Sequence, residues 1–390
     1  MVIARERPKL RVLGTYLTLQ EPIRQQAMKD LGIDIEFEAM YTPLAAQKAS
    51  LYPDTFDVYE QWADSIHLLW RAGSLQQIEV NQLKNWKHVS PLTKTGRITP
   101  SAKIGAGDAP NNYLYVQENN SLSSTPTERL SFVPTIHSVD SFAYNGDVIQ
   151  KPISEESWAW LLEPEHRQLT SVINSPTIGL FDLAMAAQSK QIMEFSDIGD
   201  MSKAEIDQLF DLLIEYKRQG QFSGFWTTMS ESMAYMRSGR MALGTMFAPA
   251  VGTLRSENMN LKFASPRDGY RAWHGVLGLS AKARNLEAAY AYINWWLSGW
   301  PGSYHARQGF YGPTPELARS YLTRSEWDYW YAGRPASESL YDNRRFPRAN
   351  PGDTRAGGDY ETRFQNVVVW NSVMRNYDYT IRKWYEFITA

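Results

Sequence analysis

Apolar and polar positions switch between two periods along the first part of the chain. The apolar run Leu10 to Leu13 predicts a strand, Gln20 to Leu31 follows helical spacing, and Gly32 stands where that helix should stop. Ile33-Asp34-Ile35-Glu36-Phe37 then alternates with the period of two that a pleated strand imposes. Phe56 to Tyr59 predicts another strand, and Asp64 to Ala72 a helix closed by Gly73. Short strands alternating with helices predict βαβ units, and so a parallel sheet covered on both faces.

From Asn81 to about Arg129, polar residues, Gly and Pro take over, which predicts long surface connections. A strand resumes at Ser131-Phe132-Val133-Pro134, with the alternating Phe142-Ala143-Tyr144 after it. Ser202 and Glu205 have capping-box spacing, and Ile206, Leu209, Phe210, Leu213 and Tyr216 continue a helix up to Gly220. Thr228 or Ser230 is placed to cap a helix ending near Gly239, and Met241 to Phe247 predicts a strand. Asn285 is placed to cap a helix through Leu297, stopped by Gly299 and Pro301. The last ninety residues predict Trp-rich helical pieces interrupted by a Gly/Pro/Arg loop from Arg334 to Gly358.

With 390 residues, the chain has material for two or three domains at about 150 residues each. Its 40 basic and 42 acidic side chains leave a net charge of −2, and no Lys/Arg-rich run exists to neutralise phosphates, so no nucleic-acid partner is expected. No stretch approaches the ~18 apolar residues of a membrane helix. The absence of Cys removes disulfides, thiolate metal sites and thiol nucleophiles, and it fits an oxidising compartment. The opening Met1 to Pro8 carries charge without a following apolar segment, so an exported form is expected to have lost its signal peptide already.

No nucleophile elbow, H-E-x-x-H, P-loop or dinucleotide fingerprint is present. The six His residues (67, 88, 137, 166, 274 and 305) show no metal-ligand spacing, so neither a metal nor a cofactor is expected. Acid pairs that cleave glycosidic bonds meet in space rather than in sequence. A carbohydrate-active enzyme with paired carboxylates and Trp platforms therefore stands as the alternative reading.

A set of phrases in fixed order carries the leading one. Asp57-Val58-Tyr59-Glu60-Gln61-Trp62 is followed by Gly73-Ser74-Leu75-Gln76-Gln77-Ile78, then by Val133 to Ser138 and Phe142 to Asn145. Ser154 to Glu165, Met241 to Phe247, Pro266-Arg267-Asp268-Gly269, Ala288 to Trp296 and Phe310 to Pro315 complete it. From about Leu10 to Leu322, apart from 81–129, the chain resembles bacterial extracellular solute-binding proteins of ABC importers, in the spermidine/putrescine-binding group.

The resemblance implies an α/β periplasmic-binding-protein fold: two lobes joined by crossing strands, with a ligand cleft between them. It implies a first lobe over about 1–135 and a second over 136–246. The remainder, 247–390, would hold the return crossing, the rest of the first lobe and the Trp/Arg-rich C-terminal helices. It further implies a periplasmic, monomeric, non-enzymatic receptor that captures a small polar organic solute and delivers it to a permease in the inner membrane. The family's contact positions fall at Tyr16 and Thr18, at Gln61, Trp62 and Asp64, at His137 and Asp140, and at Phe247, Trp273 and Tyr311.

Two departures bear on the ligand. Where the polyamine receptors carry acids on the second lobe, Val172 to Gly179 has none and offers only Asn174, Ser175 and Thr177. Gly275 stands behind His274 where another acid is expected. An ammonium taken from water without a carboxylate partner costs several kcal/mol, so a hydroxylated or anionic solute is expected over a polyamine. Asp64, Asp140 or Glu60 leaves room for a monoamine or zwitterion. From Ala283 to Arg382 there are twelve Arg and no Lys, and Arg355 and Arg363 are candidates to meet an anionic group. Ten acids in the same stretch offer those arginines structural partners instead. Trp295 and Trp296 lie mid-helix and are expected in the core, while Asp64 is also placed to cap its helix.

Overall fold

The computed structural model describes residues 7–390, so most of the charged opening Met1 to Pro8 lies outside the described residues. The strand Lys9–Gly14 buries Leu10, Val12 and Leu13 and pairs in parallel with Asp34–Ala39 on one side and Val58–Trp62 on the other. Gly14 is needed there, because a Cβ would sit 2.6 Å from the Glu60 carbonyl oxygen. Helix Glu21–Leu31 joins the first two strands and ends at Gly32, whose φ of 67° is the left-handed turn that glycine adopts without strain. These elements wrap one apolar core, which also takes in Trp295, Trp296 and Phe310 from later in the chain.

Two long strands connect this core to a second one. Val133–Asn145 runs unbroken for 13 residues, where the sequence pattern suggests two pieces. Every residue but the last is buried, and a strand covered on both faces loses the alternation that marks a half-buried one. Thr135, His137, Ser138, Asp140 and Ser141 are accordingly inside. Its first half pairs antiparallel with Tyr270–Ser280, which in turn pairs with Val58–Trp62 of the first lobe. Its second half pairs with Leu243–Met246 and Leu261–Phe263, and Thr170–Ile173 and Phe222–Trp226 extend that sheet in parallel. The second core gathers Phe142, Trp158, Phe181, Leu209 and Trp226.

Residues 81–129 are more ordered than surface connections. Ile78–Glu79, Tyr115–Val116, Leu122–Ser123 and Arg129–Leu130 form a small separate sheet, and Leu92, Thr93, Leu114 and Tyr115 are buried. Two-residue strands carry no readable period. A third apolar cluster lies over the crossing strands, where Tyr311, Tyr329, Trp330, Phe364 and Trp370 pack on Val139 and Ala272. Val367–Trp370 adds to Tyr270–Ser280 in parallel, and the last helix, Tyr377–Thr389, buries Trp384 and Phe387 in the second lobe. Among the described residues no helix is long and apolar enough to cross a membrane.

Candidate functional site

The register of the crossing strands sorts the candidate residues onto two faces. Trp273 lies opposite Ser138 and Arg271 opposite Asp140, whereas His274 faces His137 and Ala272 faces Val139. Residues opposite each other in an antiparallel pair point the same way, and neighbours along a strand point apart. Trp273 and Arg271 therefore share one face, and the two histidines share the other. The first face reaches both lobes. Trp273 meets Trp62 of the first lobe edge to face at 5.1 Å between centroids, and Arg271 bonds Asp182 of the second at 2.7 Å.

The carboxyl ends of two strands converge on this face. Val58–Trp62 and Val367–Trp370 run towards each other along the same edge of Tyr270–Ser280, ending opposite Gly275 and Ala272 respectively. The gap between them lies beside Trp273. Open α/β sheets bind ligands beyond strand carboxyl ends, and Trp62, Trp273 and Phe310 form an aromatic wall there, the last two rings 5.5 Å apart.

Asp64 follows Trp62 by two residues and does not cap the next helix, whose N-cap is Ser65. Its Oδ1 is buried without a partner. Burial and then the charge of Asp108 push its carboxyl up to about 7, and no cationic side chain opposes them. Asp108 is pushed up to about 6 by burial, again without a cation, although the Val373 amide bonds its Oδ2 at 3.0 Å. The Tyr377 phenol lies near enough to feel the Asp64 charge. This corner is acidic: backbone amides of Ser65 and Val373 and the Tyr113 hydroxyl pull the two carboxyls down, but no cation does.

On the second lobe, Thr170–Ile173 ends at Asn174, whose Oδ1 accepts a hydrogen bond from Trp384 Nε1 at 2.8 Å. Ser175 and Thr177 place their hydroxyls 3.2 Å apart, and none of the three caps the following helix, whose N-cap is Ile178. Phe247 follows the strand Leu243–Met246, at the N-cap of helix Ala248–Ser256, and packs edge to face on Trp226 at 5.4 Å. The buried charges of Arg271, Asp140 and Asp182 cancel in part. Arg271, fully buried, bonds Asp182 at 2.7 Å, Asp140 at 3.1 Å and the Asn371 amide oxygen at 2.9 Å. Burial outweighs the pull of Arg271 and raises the Asp182 carboxyl to about 6.

The other candidates divide. Tyr16 is 58% exposed and pairs with exposed Tyr41 at the rim of the first lobe. Thr18 and Gln61 are buried, and Gln61 accepts from Thr42 and donates to the Met40 carbonyl. His137, His274 and Tyr311 sit on the face away from Trp62, in a stack where the histidine rings lie 5.2 Å apart. His137 Nε2 meets the Tyr360 hydroxyl at 2.7 Å, and His274 Nε2 meets Thr93 at 2.9 Å. Arg363 lies over Tyr270 and Arg355 over Tyr311, so both belong to that second face as well. The structure thus gathers Trp62, Asp64 and Trp273 but separates them from the histidines and arginines. Sequence reasoning missed Phe310, Arg271 and Asp108. Arg271 had a readable signal, since it stands two residues before Trp273 on a strand; Asp108 lies in a stretch without pattern.

The sequence model of the family described as bacterial extracellular solute-binding protein matches residues 23–320. No match was found among curated proteins. In structure the chain is similar to the spermidine/putrescine substrate-binding protein PotD of Streptococcus pneumoniae, at 14% identity, TM-score 0.65 and coverage of 98% and 99% of the two chains. The PotD lipoprotein of Treponema pallidum gives 13%, 0.67, and 98% and 100%, and a GABA receptor gives 12%, 0.62, and 97% of each chain. The family match spans most of the chain, and the two lobes with their crossing strands are the shape those neighbours share. The protein belongs to the bacterial extracellular solute-binding proteins, and it has the two-lobed fold of those neighbours.

Proposed function

We propose that the chain is a non-enzymatic, monomeric periplasmic receptor that closes on a small solute carrying one cationic group and hands it to a permease in the inner membrane. The observation that supports this reading is Asp64: a buried carboxylate oxygen without a partner, at a strand end beside the Trp62–Trp273 wall. An ammonium against Asp64, with Asp108 behind it, relieves the uncompensated acidity and stacks on the rings. The rest of the ligand meets Asn174, Ser175 and Thr177, which suits hydroxyl or carboxylate groups rather than a second ammonium. On the second-lobe side, Asp140 and Asp182 Oδ1 are bonded to Arg271, which leaves Asp182 Oδ2 alone unpartnered beside a cation. Lobe closure then follows from contacts available only when both walls reach the solute.

Calorimetric titration at pH 7.5 with spermidine, putrescine and γ-aminobutyrate tests the charge reading. The zwitterion is expected to bind more tightly than either polyamine, and micromolar binding of spermidine contradicts the single-cation site. Turnover of any glycoside by the purified protein contradicts the receptor and favours the carbohydrate-active enzyme.

A further inference from the structure

One cluster of metal-ligating side chains lies in the second lobe, on residues the solute cleft does not use. Pro164–His166 is a 3-10 turn with Glu163 at its N-cap, and residues three apart eclipse on such a turn. One ligand atom from each of Glu163, Glu165 and His166 accordingly lies within 4.8 Å of the other two. The turn is held from behind by side-chain bonds to its backbone. The Gln221 amide donates to the Leu161 and Glu163 carbonyls at 3.0 Å each, and the Thr170 hydroxyl donates to the His166 carbonyl at 3.1 Å.

His166 is oriented as a ligand would be. It is 4% exposed, and its Nδ1 donates to the Trp160 carbonyl at 2.8 Å. In the neutral ring this leaves the lone pair on Nε2, which faces Glu165 Oε1 at 3.6 Å, beyond hydrogen-bond length. A backbone carbonyl that fixes the tautomer in this way is the usual support of a metal-bound imidazole. A cation already sits among these groups. The Lys151 ammonium pairs with Glu165 and, at 2.7 Å, with Glu163, and it lies 5.0 Å over the Trp160 ring. Ion pairs of a flexible lysine with a carboxylate as exposed as Glu165 are weak. A doubly charged ion that also engages Nε2 outcompetes them.

We propose that Glu163, Glu165 and the Nε2 of His166 form a site, separate from the cleft, for one divalent transition metal of the Zn2+ class, which displaces Lys151. One imidazole and two carboxylates, with water in the fourth position, make the tetrahedral set that Zn2+ takes, while Mg2+ prefers six oxygens. The expectation of no metal rested on spacing among histidines, and this site needs only one. Its three ligands stand within four residues on a backbone that the second lobe already fixes, so the metal adds stability to that lobe.

Calorimetry of the metal-free full chain with ZnCl2, CoCl2 and MgCl2 tests this. One Zn2+ per chain is expected, with a rise in melting temperature, and Co2+ is expected to give the visible absorption of a four-coordinate site. Mg2+ is expected not to bind. Glu165→Gln, on an exposed residue, should weaken Zn2+ binding at least tenfold without unfolding the protein, and His166→Gln should do the same. Lys151→Met removes the competing ammonium and should tighten binding at least tenfold, whereas Trp62→Ala should leave it unchanged. Absence of saturable Zn2+ binding, binding indifferent to both Glu165→Gln and His166→Gln, or binding weakened by Lys151→Met overturns the proposal.

Discussion

Trp62 and Trp273 meet with ring centroids 5.1 Å apart and planes at 70°, joining the end of a first-lobe strand to the middle of a crossing strand. Edge-to-face contact holds each ring in one orientation and leaves a flat aromatic surface for a ligand. Trp62→Ala is expected to weaken solute binding about tenfold or more with little loss of stability, since the ring is only partly buried. Trp273, 8% exposed and also packed on Phe310, should cost about 3–5 kcal/mol of folding stability as well. Calorimetry together with urea denaturation separates the two effects.

Asp64 makes the binding pH-dependent with a defined sign. Its folded carboxyl stands near 7, above the ordinary value, so the empty fold favours the protonated form. Stability contributed by that neutral carboxyl is full at acid pH and is lost as pH rises towards and through 7. A cationic ligand needs the ionised form, so affinity should fall about tenfold per pH unit below 7 and level off above it. Asp64→Asn should abolish this dependence, raise the stability of the unliganded protein at pH 8, and weaken cation binding at every pH. A series of titrations from pH 5.5 to 8.5 reads it directly.

The buried histidines act with the opposite sign. Burial holds His274 down to about 4 and His137 well below the usual range. Both stay neutral in the fold, so the stability they contribute is full above pH 6.5 and is lost as pH falls towards 4. For His274 that loss is about 3 kcal/mol. Replacing it with Gln should flatten the acid side of the stability curve, as measured by denaturation midpoints between pH 4 and 7.

Arg271 is expected to be the most costly single position in the hinge. Arg271→Met leaves Asp140 and Asp182 buried without their shared cation, and removal of one partner from a buried pair destabilises by about 3–5 kcal/mol. Arg271→Met combined with Asp182→Leu should recover part of the loss. The denaturation midpoints of the single and double variants measure the coupling, and equal midpoints contradict it.

Local signals in the sequence located elements whose pattern does not depend on distant partners. The Ser202–Glu205 capping box, the Gly32 stop and the Asn285 cap all stand where their spacing placed them. Burial on both faces hid the middle of Val133–Asn145, because a fully covered strand admits Thr, His, Ser and Asp that read as a break. The site was legible only in part, for a related reason. Trp62, Asp64 and Trp273 stand in strand-end or crossing phrases that the family resemblance picks out. Which of His137, Ser138, His274 and Trp273 share a face depends on the register of two strands far apart in sequence, which no local window contains. Tyr311 and Phe310 differ by one residue and point to opposite sides, Phe310 towards Trp273 and Tyr311 towards His137.

Native mass spectrometry of the protein as purified from its source, followed by release of whatever it carries, tests the receptor account most directly. The account predicts one small molecule per chain, held non-covalently, released chemically unchanged, and bearing a single cationic group matched to Asp64. A covalent adduct, a mixture of cleaved glycoside products, or a diamine or triamine released at one per chain would contradict it.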